Sequence, residues 1–189
     1  MIRTFVAVEV SQSVRGHAAE LVRRLKPSPV KVGWVEPANM HITLKFLGEQ
    51  TDEGVADICR AVQAGAAAVE PFEFSCAGAG AFPSVERPRT LWLGVTDGLA
   101  QLQGLHAAID AALARLRFPK DRQRFLPHLT IGRVREGGPG VRSLVDGLRS
   151  LRDFEAGTTI VDEVTVFSSE LQPSGPVYEV LATAPLAGI

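Results

Sequence analysis

His41-Ile-Thr-Leu-Lys-Phe-Leu-Gly48 and Pro127-His-Leu-Thr-Ile-Gly-Arg-Val134 are two apolar runs that each carry a histidine with a threonine two residues on. In an extended strand, residues i and i+2 project from the same face. His41 and Thr43 therefore share one face of their strand, as do His128 and Thr130, while Ile42, Leu44, Leu129 and Ile131 point into the opposite layer. With ten threonines and four histidines in 189 residues, two histidines carrying Thr at +2 is a coincidence at about the 2% level. Side by side, two such strands bring four polar groups to one surface.

Working outward from the first run, Ile2 to Val10 is rich in β-branched and aromatic residues and reads as a strand. Ser11 or Ser13 then caps an amphipathic helix over Val14 to Leu25. Pro37 and Asn39 suggest a turn before the strand His41 to Leu47, and Thr51 starts a helix running to about Val69. Phe72 to Ala77 and Thr90 to Val95 read as paired strands, and Leu99 to Leu116 as a helix. After the second run, Gly137-Gly-Pro-Gly leads to a short helix over Val141 to Leu151. Thr159 to Leu171 and Val177 to Ala182 close the chain as strands joined by a turn at Pro173-Ser-Gly-Pro. Helices interspersed with hairpins argue for an α+β fold. Gly78, Gly80 and Gly94 fit turns and bulges.

The composition bounds the function. With 46% apolar and 22% charged residues and a net charge of −1, the chain can bury a core but lacks the basic surplus with which proteins hold long duplexes. A short nucleotide or an RNA end remains open. Cys59 and Cys76 have no CxxC spacing, so neither a zinc site nor a disulfide framework is suggested. No apolar stretch approaches the ~20 residues of a membrane span, and the chain reads as cytoplasmic. His17 and His106 fall within helical patterns and read as surface or boundary residues. No metal-ligand spacing and no cofactor motif is present, so no metal and no cofactor is expected.

Two histidines can divide the work of base and acid near pH 7, because one can be neutral while the other is protonated. Transfer at a phosphodiester needs that pair: one imidazole takes a proton from the attacking oxygen and the other protonates the departing one. A threonine hydroxyl beside each can donate to the non-bridging phosphoryl oxygens. The sequence symmetry alone does not say which histidine is which.

These residues resemble the paired HxTx motifs of the two-histidine (2H) phosphoesterase superfamily, specifically its bacterial and archaeal RNA 2′,3′-cyclic phosphodiesterases, also known as LigT or ThpR and formerly as 2′-5′ RNA ligases. The likeness extends to Arg3-Thr-Phe-Val-Ala-Val-Glu, Trp34-Val-Glu-Pro-Ala-Asn and Val166-Phe-Ser-Ser-Glu-Leu-Gln-Pro-Ser-Gly-Pro-Val-Tyr. It implies one bilobal domain over residues 1–189, with motif 1 at 41–44 and motif 2 at 128–131. Two pseudo-symmetric lobes of antiparallel sheet would flank a central cleft, with helices outside. It implies metal-independent opening of an RNA terminal 2′,3′-cyclic phosphate to a 2′-phosphomonoester by a monomer, with His41 as proton donor and His128 as proton acceptor. The alternatives are 2′-5′ ligation or hydrolysis of a small cyclic nucleotide in the same site, or a non-catalytic module binding an RNA end or nucleotide.

The resemblance also points to Arg133 as a phosphate ligand beside Thr43 and Thr130. Strict alternation puts Arg133 on the wrong face unless Gly132 marks a bulge or the strand end. Lys45 has the same parity as His41 and is a candidate substrate contact. Phe5 and Phe46 are candidates for stacking on a terminal base, although the parity of Phe46 favours core packing. Trp34 could line the cleft mouth or brace the turn at Pro37, and Tyr178 reads as a local packing residue.

Overall fold

The computed structural model describes residues 1–121, 124–138, 140–173 and 175–188. Pro139, in the Gly137-Gly-Pro-Gly stretch, and Ser174, in the expected turn at Pro173-Ser-Gly-Pro, lie outside them. The elements run β1 (Ile2–Glu9), α1 (Gln12–Leu25), β2 (Val32–Trp34), a single 3-10 turn (Pro37–Asn39), β3 (His41–Gln50), α2 (Asp52–Ala66), β4 (Phe72–Ser84), β5 (Arg87–Val95), α3 (Leu99–Ala114), β6 (His128–Val134), α4 (Val141–Ser150), β7 (Glu155–Val161), β8 (Glu163–Gln172) and β9 (Gly175–Pro185). The expected single strand Thr159–Leu171 is in fact two, parted at Asp162, because β7 pairs with β4 whereas β8 pairs with β1 and β9.

The strands form one antiparallel sheet in the order β7-β4-β5-β6-β3-β1-β8-β9, with β2 beside β6. The two histidine strands are adjacent at its centre. Around them the order is two-fold: β3 has β1 and then β8 outside it, β6 has β5 and then β4. Each half of the chain supplies the series strand, helix, histidine strand, helix (β1-α1-β3-α2 and β5-α3-β6-α4). The seam is short, since β3 and β6 pair only at Ile42 and Leu129. The sheet is thus split into two lobes on either side of that pair.

Among the described residues the helices cover one face only. Val6, Val8, Ile42, Leu44, Leu129 and Ile131 belong to a buried core shared with Val14, Leu21 and Leu25 of α1, Ile58 and Val62 of α2, Leu105 and Ile109 of α3, and Leu144 and Leu148 of α4. The spacing of these helical residues gives each helix one apolar stripe. Ser11 and Thr51 cap α1 and α2 by accepting from the amides of Val14 and Gly54, and Asp52 and Glu53 complement the dipole of α2. No described helix is long and apolar enough to cross a membrane. The opposite face of the sheet is left without helices, and the histidines lie there.

Candidate active site

Both histidine strands contain a bulge at the same place in the motif. Along β1 the partners of Ala7 and Val6 are Thr43 and Lys45, so Leu44 is the extra residue. Along β5 the partners of Trp92 and Leu91 are Thr130 and Gly132, so Ile131 is the extra residue. One added residue flips the facing of everything beyond it. Arg133 and Phe46 therefore rejoin the faces of His128 and His41, while Lys45 and Gly132 turn inward.

The condition set for Arg133 is met, and two expectations change. Arg133 reaches the cleft face through the bulge, exposed and donating to Thr90 Oγ1 at 3.3 Å. Phe46 is 67% exposed rather than packed in the core. Lys45 is not a cleft residue: it is buried, and its ammonium bonds Asp110 Oδ1 at 2.5 Å, Asp121 Oδ1 at 2.9 Å and the Pro119 carbonyl at 3.0 Å. Burial on its own would lower the Lys45 pKa, but the two carboxylates more than offset it and hold it raised. His106, expected near the surface, is buried beside the same cluster, with Nε2 on Asp121 Oδ2 at 2.9 Å and its ring stacked on Phe125.

The pairing of Ile42 with Leu129 fixes how the four motif residues face one another. One step along that register in either direction sets His41 against Thr130, and Thr43 against His128. The imidazoles are held alike. His41 Nδ1 lies 2.8 Å from the Asn39 carbonyl, and His128 Nδ1 lies 2.7 Å from the Leu126 carbonyl. A carbonyl can only accept, so each Nδ1 carries a hydrogen and each Nε2 is the nitrogen left for chemistry.

Burial lowers both imidazole pKa values below the ordinary 6.5. The neighbours then act in opposite senses. Beyond its backbone bond, His41 is raised by Glu9, its cross-strand partner on β1, and lowered in smaller part by Arg15, which bonds Glu9 at 2.7 Å. His128 has its backbone bond and the guanidinium of Arg133, which disfavours its cation. Burial, the largest cause at both, disfavours either cation; of the charged neighbours, Glu9 favours a proton on His41 and Arg133 disfavours one on His128.

The walls differ too. Around His41, Phe5 lies 5.0 Å away and Tyr178 5.4 Å, with Phe167 stacked 5.2 Å from Phe5 and Phe46 6.0 Å from it. At 2% exposure Phe5 has no face left for a base and serves as the floor of this cluster. Beside His128 stand Phe82, edge-on at 4.9 Å, and Trp92, 5.2 Å from Phe82. Trp92 lies across Gly80, where an added Cβ would come within 2.3 Å of its ring. Gly78 marks a bulge, as expected, whereas Gly80 is a clearance for that ring. Trp34 packs over the second bulge, its ring 2.9 Å from a Cβ built on Gly132.

Sequence reasoning missed Phe82, Trp92, Phe167 and Glu9, and read Tyr178 only as packing. All five reach the site through strand pairing. The pairing of glycines with one large aromatic was the signal available for Trp92. Among the described residues no three His, Cys, Asp or Glu side chains gather as a metal-binding group.

Comparison with known proteins finds similarity over nearly the whole chain. The model of the family described as "LigT like Phosphoesterase" matches the chain twice, over residues 8–92 and 93–178, one match per histidine motif. An RNA 2′,3′-cyclic phosphodiesterase of Methanothermobacter thermautotrophicus is 36% identical over 178 residues, covering 94% of this chain and 95% of that protein. One of Aquifex aeolicus is 33% identical over 189 residues, covering 100% and 99%. Among solved structures, a Thermus thermophilus protein superposes with a TM-score of 0.78 at 29% identity, covering 99% of both chains. E. coli LigT complexed with 3′-AMP shares the fold, with a TM-score of 0.72 at 22% identity over 98% of both chains. With both histidine motifs inside the two matched segments, the chain belongs to the LigT-like phosphoesterase family.

Proposed function

We propose that this enzyme hydrolyses RNA terminal 2′,3′-cyclic phosphates to 2′-phosphomonoesters, with His41 as general acid and His128 as general base. The observation that carries the reading is the matched pair of Nδ1-anchored imidazoles, each set against a threonine of the other strand across the Ile42–Leu129 seam. The cyclic phosphorus would sit between them. His128 Nε2 takes a proton from water as its oxygen attacks phosphorus. The bond from phosphorus to the 3′ oxygen breaks, and His41 Nε2–H delivers a proton to that oxygen. Each transfer contributes typically about 10²–10⁴-fold.

Thr43, Thr130 and Arg133 are assigned to the non-bridging oxygens, where hydroxyl and guanidinium donors stabilise the charge that builds up. The acid and base roles follow the local field: Glu9 favours the protonated form of His41, and Arg133 the neutral form of His128. The departing 3′ oxygen belongs to the terminal nucleoside, so His41 as acid puts that nucleoside on the aromatic side, with Phe46 as the exposed ring for its base. Both histidines come from one chain, so a monomer suffices, acting where RNA ends are found in the cytoplasm.

The test is incubation, in EDTA, with a short RNA ending in a 2′,3′-cyclic phosphate, beside His128→Ala. The expected product is a 2′-phosphate formed by the unmutated protein at least about 100-fold faster. A 3′-phosphate product, or equal rates, overturns the reading.

A further inference from the structure

The carbonyl that fixes the His128 tautomer belongs to Leu126, whose side chain is 53% exposed and gives that residue little anchorage of its own. Its neighbour is held instead. The Phe125 ring stacks on His106 at 4.2 Å and 7°, and its carbonyl accepts from Gln103 Nε2 at 3.3 Å. His106 in turn donates from Nε2 to Asp121 Oδ2, and the other oxygen of Asp121 is bound by Lys45. Lys45 has three N–H donors and directs them to Asp110, Asp121 and the Pro119 carbonyl. A continuous series of contacts therefore runs from the bulge of the His41 strand to the hydrogen bond on His128.

We propose that Lys45 is a positioning residue for His128, acting through Asp121, His106 and Phe125 on the segment that presents the Leu126 carbonyl. The inward turn of Lys45 at the bulge lets one lobe set the imidazole of the other. The proposal rests on the reading of His128 as the base for its kinetic consequence, but not for its structural one. Displacement of a catalytic group by about 1 Å can cost on the order of 100-fold in rate.

The experiment combines NMR of the histidine side chains with kinetics. In the unmutated protein both Nδ1–H protons are held by carbonyls and both resonances are expected. In Lys45→Met the His128 Nδ1–H resonance should broaden or vanish while that of His41 persists, and kcat on the cyclic-phosphate RNA should fall about 10–100-fold with KM within about threefold. Lys45→Met also strands two carboxylates, so Phe125→Ala, which leaves every bond of Lys45 intact, is measured beside it. If Lys45→Met does not fold, Phe125→Ala decides by the same two readouts. An unchanged His128 resonance in whichever variant folds, or a kcat within twofold of the unmutated protein, overturns the proposal. If the unmutated protein opens no cyclic phosphate, the functional reading fails and the NMR result alone decides this one.

Discussion

The two histidine strands share a backbone and differ in what they carry. In both, a histidine and a threonine precede a one-residue bulge, and in both the bulge returns a side chain to the cleft. At that returning position β3 has Phe46 and β6 has Arg133. At the inward position before it β3 has Lys45 and β6 has Gly132. Lys45 fills its place with an ion-paired strut, whereas Gly132 leaves room for Trp34 and Val32, both 2.9 Å from a Cβ built there. Repetition of the backbone delivers the symmetric pair of imidazoles. Divergence at the position that returns to the cleft puts an aromatic ring, Phe46, on the His41 side and a guanidinium, Arg133, on the His128 side, which is what a reaction with distinct entering and leaving groups needs.

The largest test of that contrast removes the imidazoles. His41→Ala and His128→Ala should each lose about 10²–10⁴-fold in kcat on the cyclic phosphate. Replacing the substrate by an aryl phosphodiester, whose leaving group needs no proton, should restore most of the loss in His41→Ala and little in His128→Ala. Equal behaviour of the two variants would break the assignment of acid and base.

Next come the two residues beyond the bulges. Arg133→Met should lower kcat/KM about 100-fold, in the range seen when a donor to a developing charge is lost. Phe46→Ala should act mainly on KM, by roughly 5–150-fold, the span of about 1–3 kcal/mol for a stacked base. A variant of Phe46 that lost kcat and kept KM would place the nucleoside elsewhere.

Acidity sharpens the comparison further. Burial holds both histidines below 6.5, so the bell of kcat/KM should centre below pH 6.5, and that of kcat higher once a bound phosphate anion favours both cations. Glu9→Gln should move the basic limb to lower pH, and Arg133→Met the acidic limb to higher pH. Movement of the same limb by both variants would refute the opposed fields. The same lowering has a sign for stability. Between the lowered values and 6.5 the unfolded chain binds more protons, so this contribution is full above 6.5 and is lost as pH falls through that window, as urea midpoints at successive pH values would show.

The smallest effect is on packing alone. Gly132→Ala should cost about 1–3 kcal/mol, because Trp34 and Val32 must give way. A thermal midpoint unchanged from the parent would show that β2 yields freely.

The motifs themselves were legible because they rest on local alternation: His41 with Thr43 and His128 with Thr130 need only an extended backbone. The bulges were half legible. Gly132 hinted at one and rescued Arg133, but Leu44 has no such mark, so Lys45 was given the cleft and Phe46 the core. A bulge is set by the partner strand, here β1, and leaves no local trace in Thr-Leu-Lys-Phe. The same holds for Phe82, Trp92, Phe167 and Glu9, which arrive by register across strands distant in sequence. His106 sits at a helical position like any other, and Asp121 and Phe125, which pack on it, come from beyond the end of α3.

One arrangement gives the molecule a built-in optical label. Its two tryptophans, Trp34 over Gly132 and Trp92 opposite Thr130, both belong to the Arg133 lobe, while its single tyrosine, Tyr178, lies beside His41. Intrinsic emission excited at the tryptophan band therefore watches one lobe, and tyrosine emission the other. A titrant's first point of residence can be followed without attaching a dye.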